Sequence, residues 1–218
     1  MTNPQNPHPG ALIVIEGIDG SGSTTQTKML LARLASVGIP AVFTCEPSKG
    51  PIGEALRRHL GRQAELGGAE AEALAFAADR MDHVTSEVVP ALADGITVVT
   101  DRYYLSSLAY QALSCDPAWL REINRFAIRP NLTVFLAVPA EVGMARFSSR
   151  ETRDRFEEDR DQLARIATLY DAAITALAAE GETVHVIDGT RSADEVHAEI
   201  VALASAVLGP RYPGVDLG

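Results

Sequence analysis

Near its start the chain reads IEGIDGSGSTT over residues 15–25. Gly17 and Gly22 have the spacing of the phosphate-binding pattern G-x-x-x-x-G-K-[ST], with Gly20 between them, but Ser23 stands where the lysine belongs. In such a loop the backbone N–H groups turn inward around phosphate oxygens, and the helix that follows adds its positive end. Ser21, Ser23, Thr24 and Thr25 complete the cradle, and Thr24 falls where a Mg²⁺-binding hydroxyl is expected. Ser23 has no cation to follow a transferring phosphoryl group. The bland reading is a glycine-rich structural turn; its place after a buried strand and before Thr24 and Thr25 favours phosphate.

A loop of this kind needs a strand before it and a helix after it. Residues 11–15 (ALIVI) are a short uninterrupted run rich in β-branched residues, the pattern of a strand buried on both faces of a parallel sheet. From 24 to 35 apolar residues recur at Met29, Leu30, Leu31 and Leu34, and Gly38 gives the helix its stop. Further strands are expected at 41–44, 96–100, 132–136 and 183–187, with helical stretches between them, including a long apolar one from about 69 to 89. This alternation predicts right-handed βαβ crossovers and an α/β fold: a three-layer, doubly wound parallel sheet.

With 218 residues, 46% of them hydrophobic, the chain can bury a full core as one large domain. A formal charge of −10 argues against a general grip on nucleic acid, so a phosphate ligand must be held locally. Basic residues cluster at Arg57, Arg58 and Arg62 and again from Arg146 to Arg165. Cys45 and Cys115 lack metal-ligand spacing and read as reduced thiols of a cytoplasmic protein. No run is long and apolar enough for a membrane span, and residues 1–10 lack the regions of a signal peptide and are expected to be a disordered lead-in. The domain proper is expected over 11–208, followed by a tail over 209–218. The densely charged stretch at 148–162 is either a solvated helix face or a mobile lid. The five histidines, His8, His59, His83, His185 and His197, have no nucleophile or metal spacing and read as structural or surface residues.

Taken with four later segments, the chain resembles the bacterial thymidylate kinases, which move the γ-phosphate of ATP onto dTMP. The likeness runs in order from about residue 13 to 206: EGIDGSG, then EPSKGPIGEALRR, LAFAADRMDH, DRYYLSSLAYQ and a charged DRFE segment. The resemblance implies a P-loop NTPase fold of the nucleoside monophosphate kinase type with a small lid at about 148–162, and a site for ATP, dTMP and Mg²⁺. For dTMP it implies Asp19, Glu46, Pro47, Arg57, Ser107, Tyr110 and Gln111, with Phe76 stacking on thymine, Arg80 bonding its O4 edge and Arg102 taking the phosphate. Asp101, at the end of a buried strand, would hold Mg²⁺ or its waters with Thr24, and a forked Arg102 contact suits a phosphate. Their bland reading is a salt bridge capping the next helix; for Phe76 it is an ordinary core aromatic. On the donor side the resemblance places Arg146 against adenine beside the turn Asp188-Gly189-Thr190, and Arg150 and Arg153 in the lid, catalytic together with Asp19 and Arg102. It also implies a homodimer built through helices beside the sheet.

The chain departs from that pattern at Ser23, at Cys45, where many bacterial members carry arginine, and at Ser48 and Lys49 in place of two glycines. It also lacks the family's glycine-rich loop after Gln111. Arg150 or Arg153, or else Lys49, is expected to supply the charge that Ser23 does not; Lys28 is poorly placed, about 7 Å further along the helix. Two other readings stand beside dTMP phosphorylation: a kinase for a different nucleoside monophosphate, and a nucleotide-binding protein that has lost catalysis.

Overall fold

The run LIVIEG forms β1 (Leu12–Gly17), in which every residue is buried. After it come α1 (Ser23–Ser36), β2 (Ala41–Cys45), α2 (Pro51–Leu60), α3 (Ala69–His83), α4 (Val89–Ala93), β3 (Thr97–Asp101), α5 (Tyr104–Tyr110) and α6 (Pro117–Ile123). The order closes with β4 (Leu132–Ala137), α7 (Ala140–Phe147), α8 (Arg160–Ala179), β5 (Val184–Asp188) and α9 (Ala193–Leu208). The computed structural model describes residues 2–63, 65–147 and 160–217.

All strand pairings are parallel, in the order β2-β3-β1-β4-β5, so β1 lies at the centre, flanked by β3 and β4. Because successive side chains of a strand point to opposite faces, β1 feeds two separate cores. Leu12 and Val14 join Tyr104 and Leu108 of α5 and Leu163 and Tyr170 of α8. Ile13 and Ile15 join Leu30 and Leu34 of α1 and Val196 and Ile200 of α9. The result is the expected three-layer, doubly wound arrangement. The chain leaves β1 for the edge strand β2, returns through β3, and then crosses to β4. The carboxyl ends of β1 and β3 therefore open on the crevice where such sheets bind ligands.

Two expectations are corrected, on the opening residues and on the helix expected at 69–89. The opening residues are packed rather than a disordered lead-in: Asn3 is buried, Pro4 O accepts from Arg129 N at 2.7 Å, and Asn6 Nδ2 donates to Asn131 Oδ1 at 2.7 Å. The tail is also docked, with Leu217 buried, its carbonyl bonded by Arg33 Nε at 2.6 Å, and Tyr212 OH donating to Gly95 O at 2.9 Å. Finally, the long helix expected at 69–89 is divided into α3, a π turn at Val84–Val88, and α4. Pro90, with no N–H to donate and a ring that crowds the preceding turn, is the local cause.

Leu30 is fully buried between α1 and the sheet, whereas Val186 on the edge strand β5 is 54% exposed. Leu30→Ala is therefore expected to lower the unfolding free energy by about 2–5 kcal/mol, and Val186→Ala by under about 0.5 kcal/mol, as read by urea denaturation.

Candidate active site

The loop between β1 and α1 is shaped by close approach. A Cβ on Gly17 would overlap the Ser21 side chain, and one on Gly20, whose φ is 79°, would overlap the Gly143 carbonyl at the start of α7. Gly22 begins α1 without a side-chain cap, and the first turn holds no acidic residue. The positive end of a 14-residue helix thus faces the loop without a competing carboxylate. Ser21 and Ser23 are buried in the loop, Ser23 N lying 3.4 Å from Ser21 Oγ, while Thr25 is exposed on the helix. Thr24 Oγ1 donates to Asp101 Oδ2, across from the end of β3. The other oxygen, Asp101 Oδ1, is buried and has no hydrogen-bond partner among the described residues.

The next residue, Arg102, has φ 71°, uncommon for a side-chain-bearing residue. Its conformation is fixed from both sides: its N–H donates to Ile15 O at 3.0 Å, and its carbonyl accepts from Thr100 Oγ1 at 3.0 Å. The turn aims the guanidinium at Asp19 Oδ1 and over the Tyr110 ring, 4.9 Å from its centroid. Tyr110 OH donates to Asp19 Oδ2 at 3.0 Å. Burial works against the charge on Arg102, but Tyr110 and Asp19 outweigh it and hold the pKa above the ordinary arginine value.

A second cluster lies at the end of β2, where Glu46-Pro47 is a cis peptide. Glu46 accepts from Arg80 Nε at 2.8 Å through Oε2 and lies 3.3 Å from His83 Nδ1 through Oε1. The His83 Nε2 is 2.6 Å from Thr44 Oγ1. Arg80 also donates to Asn124 Oδ1, to Tyr103 O at 3.2 Å and to Ser107 Oγ at 3.0 Å. Phe76, one helical turn before Arg80, is half-buried and belongs to neither core cluster, so the ordinary-core reading does not hold for it. Arg57 is exposed at the rim and donates to Pro47 O at 2.6 Å and to Ser48 O. A cavity of about 250 Å³ opens beside Tyr110 and Gln111, lined also by Leu66, Glu72 and Gln162, and Gln111 Oε1 is buried without a partner among the described residues.

On the far side of the P-loop, Arg146 NH1 donates to Gly189 O at 2.9 Å and lies 3.5 Å from Ser21 O. It therefore joins the loop to the Asp188-Gly189-Thr190 turn, where Thr190 N donates to Asp188 Oδ1 at 2.9 Å. Lys49 and Lys28 are exposed. Arg150 and Arg153, with most of the expected lid, lie outside the described residues.

A glycine-rich loop before a helix, a buried aspartate and a forked arginine at the ends of β1 and β3 are groups suited to binding phosphate. The model of the family "Thymidylate kinase" matches residues 15–200. The chain belongs to the thymidylate kinase family. It is 38% identical over 202 residues to the probable thymidylate kinase of Thermococcus gammatolerans, covering 89% of this chain and 95% of that protein. It is 37% identical over 204 residues to the probable thymidylate kinase of Pyrococcus horikoshii, covering 91% and 98%. To the thymidylate kinase of Neisseria gonorrhoeae it is 39% identical over 203 residues, covering 90% and 97%.

Within this thymidylate kinase-family fold, three positioning residues escaped the sequence reading. Asp79 accepts from Ser48 N at 2.7 Å and from Ser48 Oγ, so the serine that departs from the family's glycine pattern has a structural task. His83, read as a generic structural histidine, holds Glu46. Glu16 is wholly buried at the end of β1 and accepts from Tyr103 N at 2.8 Å, Ser106 N at 3.2 Å and Ser106 Oγ at 2.5 Å. Among these, only Glu16 had a legible signal, a carboxylate inside an otherwise apolar strand run.

Burial pushes the Glu16 carboxyl from 4.5 up to about 7, against the lowering effect of Ser106 and Arg102. The folded chain therefore keeps a proton that the unfolded chain releases between about pH 4.5 and 7, and stability falls as pH rises through that window. Urea denaturation from pH 5 to 8 is expected to show this decline in the parent and a flatter profile in Glu16→Gln. Equal slopes would mean that another group titrates.

Proposed function

We propose that the two halves of the site hold the two nucleotides of one reaction, ATP + dTMP giving ADP + dTDP. Phosphorylation of dTMP is the activity of the family to which the chain belongs, and the observation that carries the reading is the junction of Thr24, Asp101, Arg102 and Asp19 at the ends of β1 and β3. Gly17, Gly20, Ser21, Gly22, Ser23, Thr24 and Thr25 wrap the ATP phosphates, with Arg146 and the 188–190 turn towards adenine. Glu46, Pro47, Arg57, Phe76, Arg80, Ser107, Tyr110 and Gln111 enclose dTMP. Phe76 stacks on the base, Arg80 offers its second NH1 hydrogen to the O4 edge, and Arg102 and Arg57 take the phosphate.

The donor set fits Mg²⁺: a hydroxyl and a buried carboxylate with one unpartnered oxygen, at the mouth of a phosphate loop. Mg²⁺ keeps several waters and takes one or two carboxylates plus substrate phosphates, so few protein ligands are needed. Thr24 and Asp101 would hold it, and it would neutralise charge on the β- and γ-phosphates. Transfer then depends on positioning and charge rather than covalent help. Asp19 and Tyr110 hold Arg102 where the acceptor phosphate lies, and Arg150 or Arg153 closes over the γ-phosphate in place of the cation missing at Ser23, with Lys49 as the other candidate. Leu74 and Ala78, exposed on α3, give a face for a homodimer. No described helix is long and apolar enough to cross a membrane, and two free cysteines suit a cytoplasmic place.

Ser23 itself favours a second reading, a nucleotide-binding protein that no longer turns over. Purified protein with ATP, Mg²⁺ and dTMP is expected to form dTDP, to prefer dTMP over dUMP, dCMP and dGMP, and to stop when EDTA removes the metal. Phe76→Ala should raise KM for dTMP by about tenfold, and Arg102→Lys should lower kcat/KM by roughly 10²- to 10³-fold. No dTDP from the parent, with activity gained in Ser23→Lys, would establish the silenced reading instead.

A further inference from the structure

The opening residues lie outside the span matched by the family model, yet Asn3 is only 3% exposed and all three of its side-chain bonds reach residues more than 100 positions away. Its Nδ2 donates to Asn124 O and to Ala127 O, both at 2.9 Å, and its Oδ1 accepts from Arg121 NH1 at 2.8 Å. Those carbonyls belong to the turn that ends α6, a helix of seven residues, too short to hold its own end in place. Asn124 is 2% exposed, its Nδ2 donates to Leu120 O at 2.8 Å, and its Oδ1 receives an N–H of Arg80 NH1. Among the described residues Asn124 Oδ1 is the one hydrogen-bond partner of that nitrogen, whose second N–H is the one assigned above to the base.

We infer that the N-terminal arm is a positioning element of the acceptor pocket: Asn3 fixes the 124–127 turn, and Asn124 thereby fixes the Arg80 guanidinium. This rests on the reading of Arg80 as a base contact. Without Asn3, Asn124 O keeps its bond from Ala127 N at 3.1 Å, whereas the buried Ala127 O loses its Asn3 donor. A buried carbonyl so deprived is costly, so loss of Asn3 would let the turn shift towards other donors and swing Asn124 Oδ1 away from Arg80. Asn6, in the same arm, bonds Gly10 O and Asn131 Oδ1 and, among the described residues, has no hydrogen bond to Asn124 or Arg80, so it separates anchoring of the arm from alignment of the arginine.

The test is the steady-state kinetics of full-length Asn3→Ala, Asn3→Ser, Asn6→Ala and Arg80→Lys, with melting temperatures alongside. Asn3→Ala is expected to raise KM for dTMP by about tenfold, one aligned hydrogen bond's worth, with KM for ATP and kcat within twofold of the parent. Asn3→Ser, keeping one donor, should fall between, and it decides the matter if the alanine variant does not fold. Asn6→Ala should lower the melting temperature and leave both KM values unchanged. If Asn3 and Asn6 variants lose stability alike with no selective change in KM for dTMP, the arm is only structural and the inference is overturned. If Arg80→Lys leaves KM for dTMP unchanged, the reading of Arg80 fails first, and the inference fails with it.

Discussion

The structure depends on one buried carboxylate. Glu16 ends the central strand, where water cannot reach it, and its oxygens are met by the backbone N–H groups of Tyr103 and Ser106, the Ser106 hydroxyl at 2.5 Å and Tyr170 OH at 3.3 Å. Burial of a carboxylate is unfavourable unless such donors surround it, and here desolvation still prevails, as the raised pKa records. The consequence is a second tie between two loops that the sheet already brings together through the Ile15 and Asp101 pairing and the Arg102 N–H bond to Ile15 O. The residue before the P-loop glycine grips the first turn of α5, so the donor cradle and the Asp101-Arg102 turn are registered to each other. Tyr170 of α8 adds a third element by also lying 3.3 Å from Gly17 O.

The loop after β2 is held by the same logic with different groups. The pairing of β2 with β3 reaches as far as Glu46, whose N–H donates to Asp101 O at 3.2 Å, and beyond it side chains fix where Pro47 and Ser48 go. Asp79 takes the Ser48 N–H and hydroxyl, Arg57 takes the Pro47 and Ser48 carbonyls, and Arg80 and His83 take the two Glu46 oxygens. Three of these four residues come from α3, so a rigid helix carries both the Phe76 face and the fastening of the loop opposite it.

What could be read from the sequence was local. The buried run of β1, the glycine spacing after it, the helix stop at Gly38 and the alternation of strands and helices all follow from neighbours within a few residues, and all appear where expected. The contacts that were not legible are those whose partners lie far along the chain. Asn3 looks like any polar residue in a proline-rich opening, and only the fold shows that it meets Asn124 and Ala127. His83 and Asp79 have no spacing to mark them, because their function is to complete the polar surroundings of a loop more than thirty residues earlier. The π turn was missed for a related reason: periodicity registers an apolar face running to about residue 89 but not the backbone adjustment within it.

The charges of the site are arranged to serve the protein and a ligand together. Arg80 pairs with Glu46 and Arg102 with Asp19, so neither buried or half-buried cation stands uncompensated before nucleotide arrives. Each pairing uses only part of a five-donor fork, and that is the physical advantage of arginine over lysine here: a point charge held by a carboxylate would have to leave it to reach a phosphate. The same argument bears on Ser23. A lysine in the loop serves as a free point charge beside the γ-phosphate, and the forked arginines among the described residues of the crevice are already fastened by carboxylates or, as with Arg146 and Arg57, by backbone carbonyls. Those fastened arginines are poor substitutes for such a charge, and among the described residues exposed Lys49 is not tied in this way.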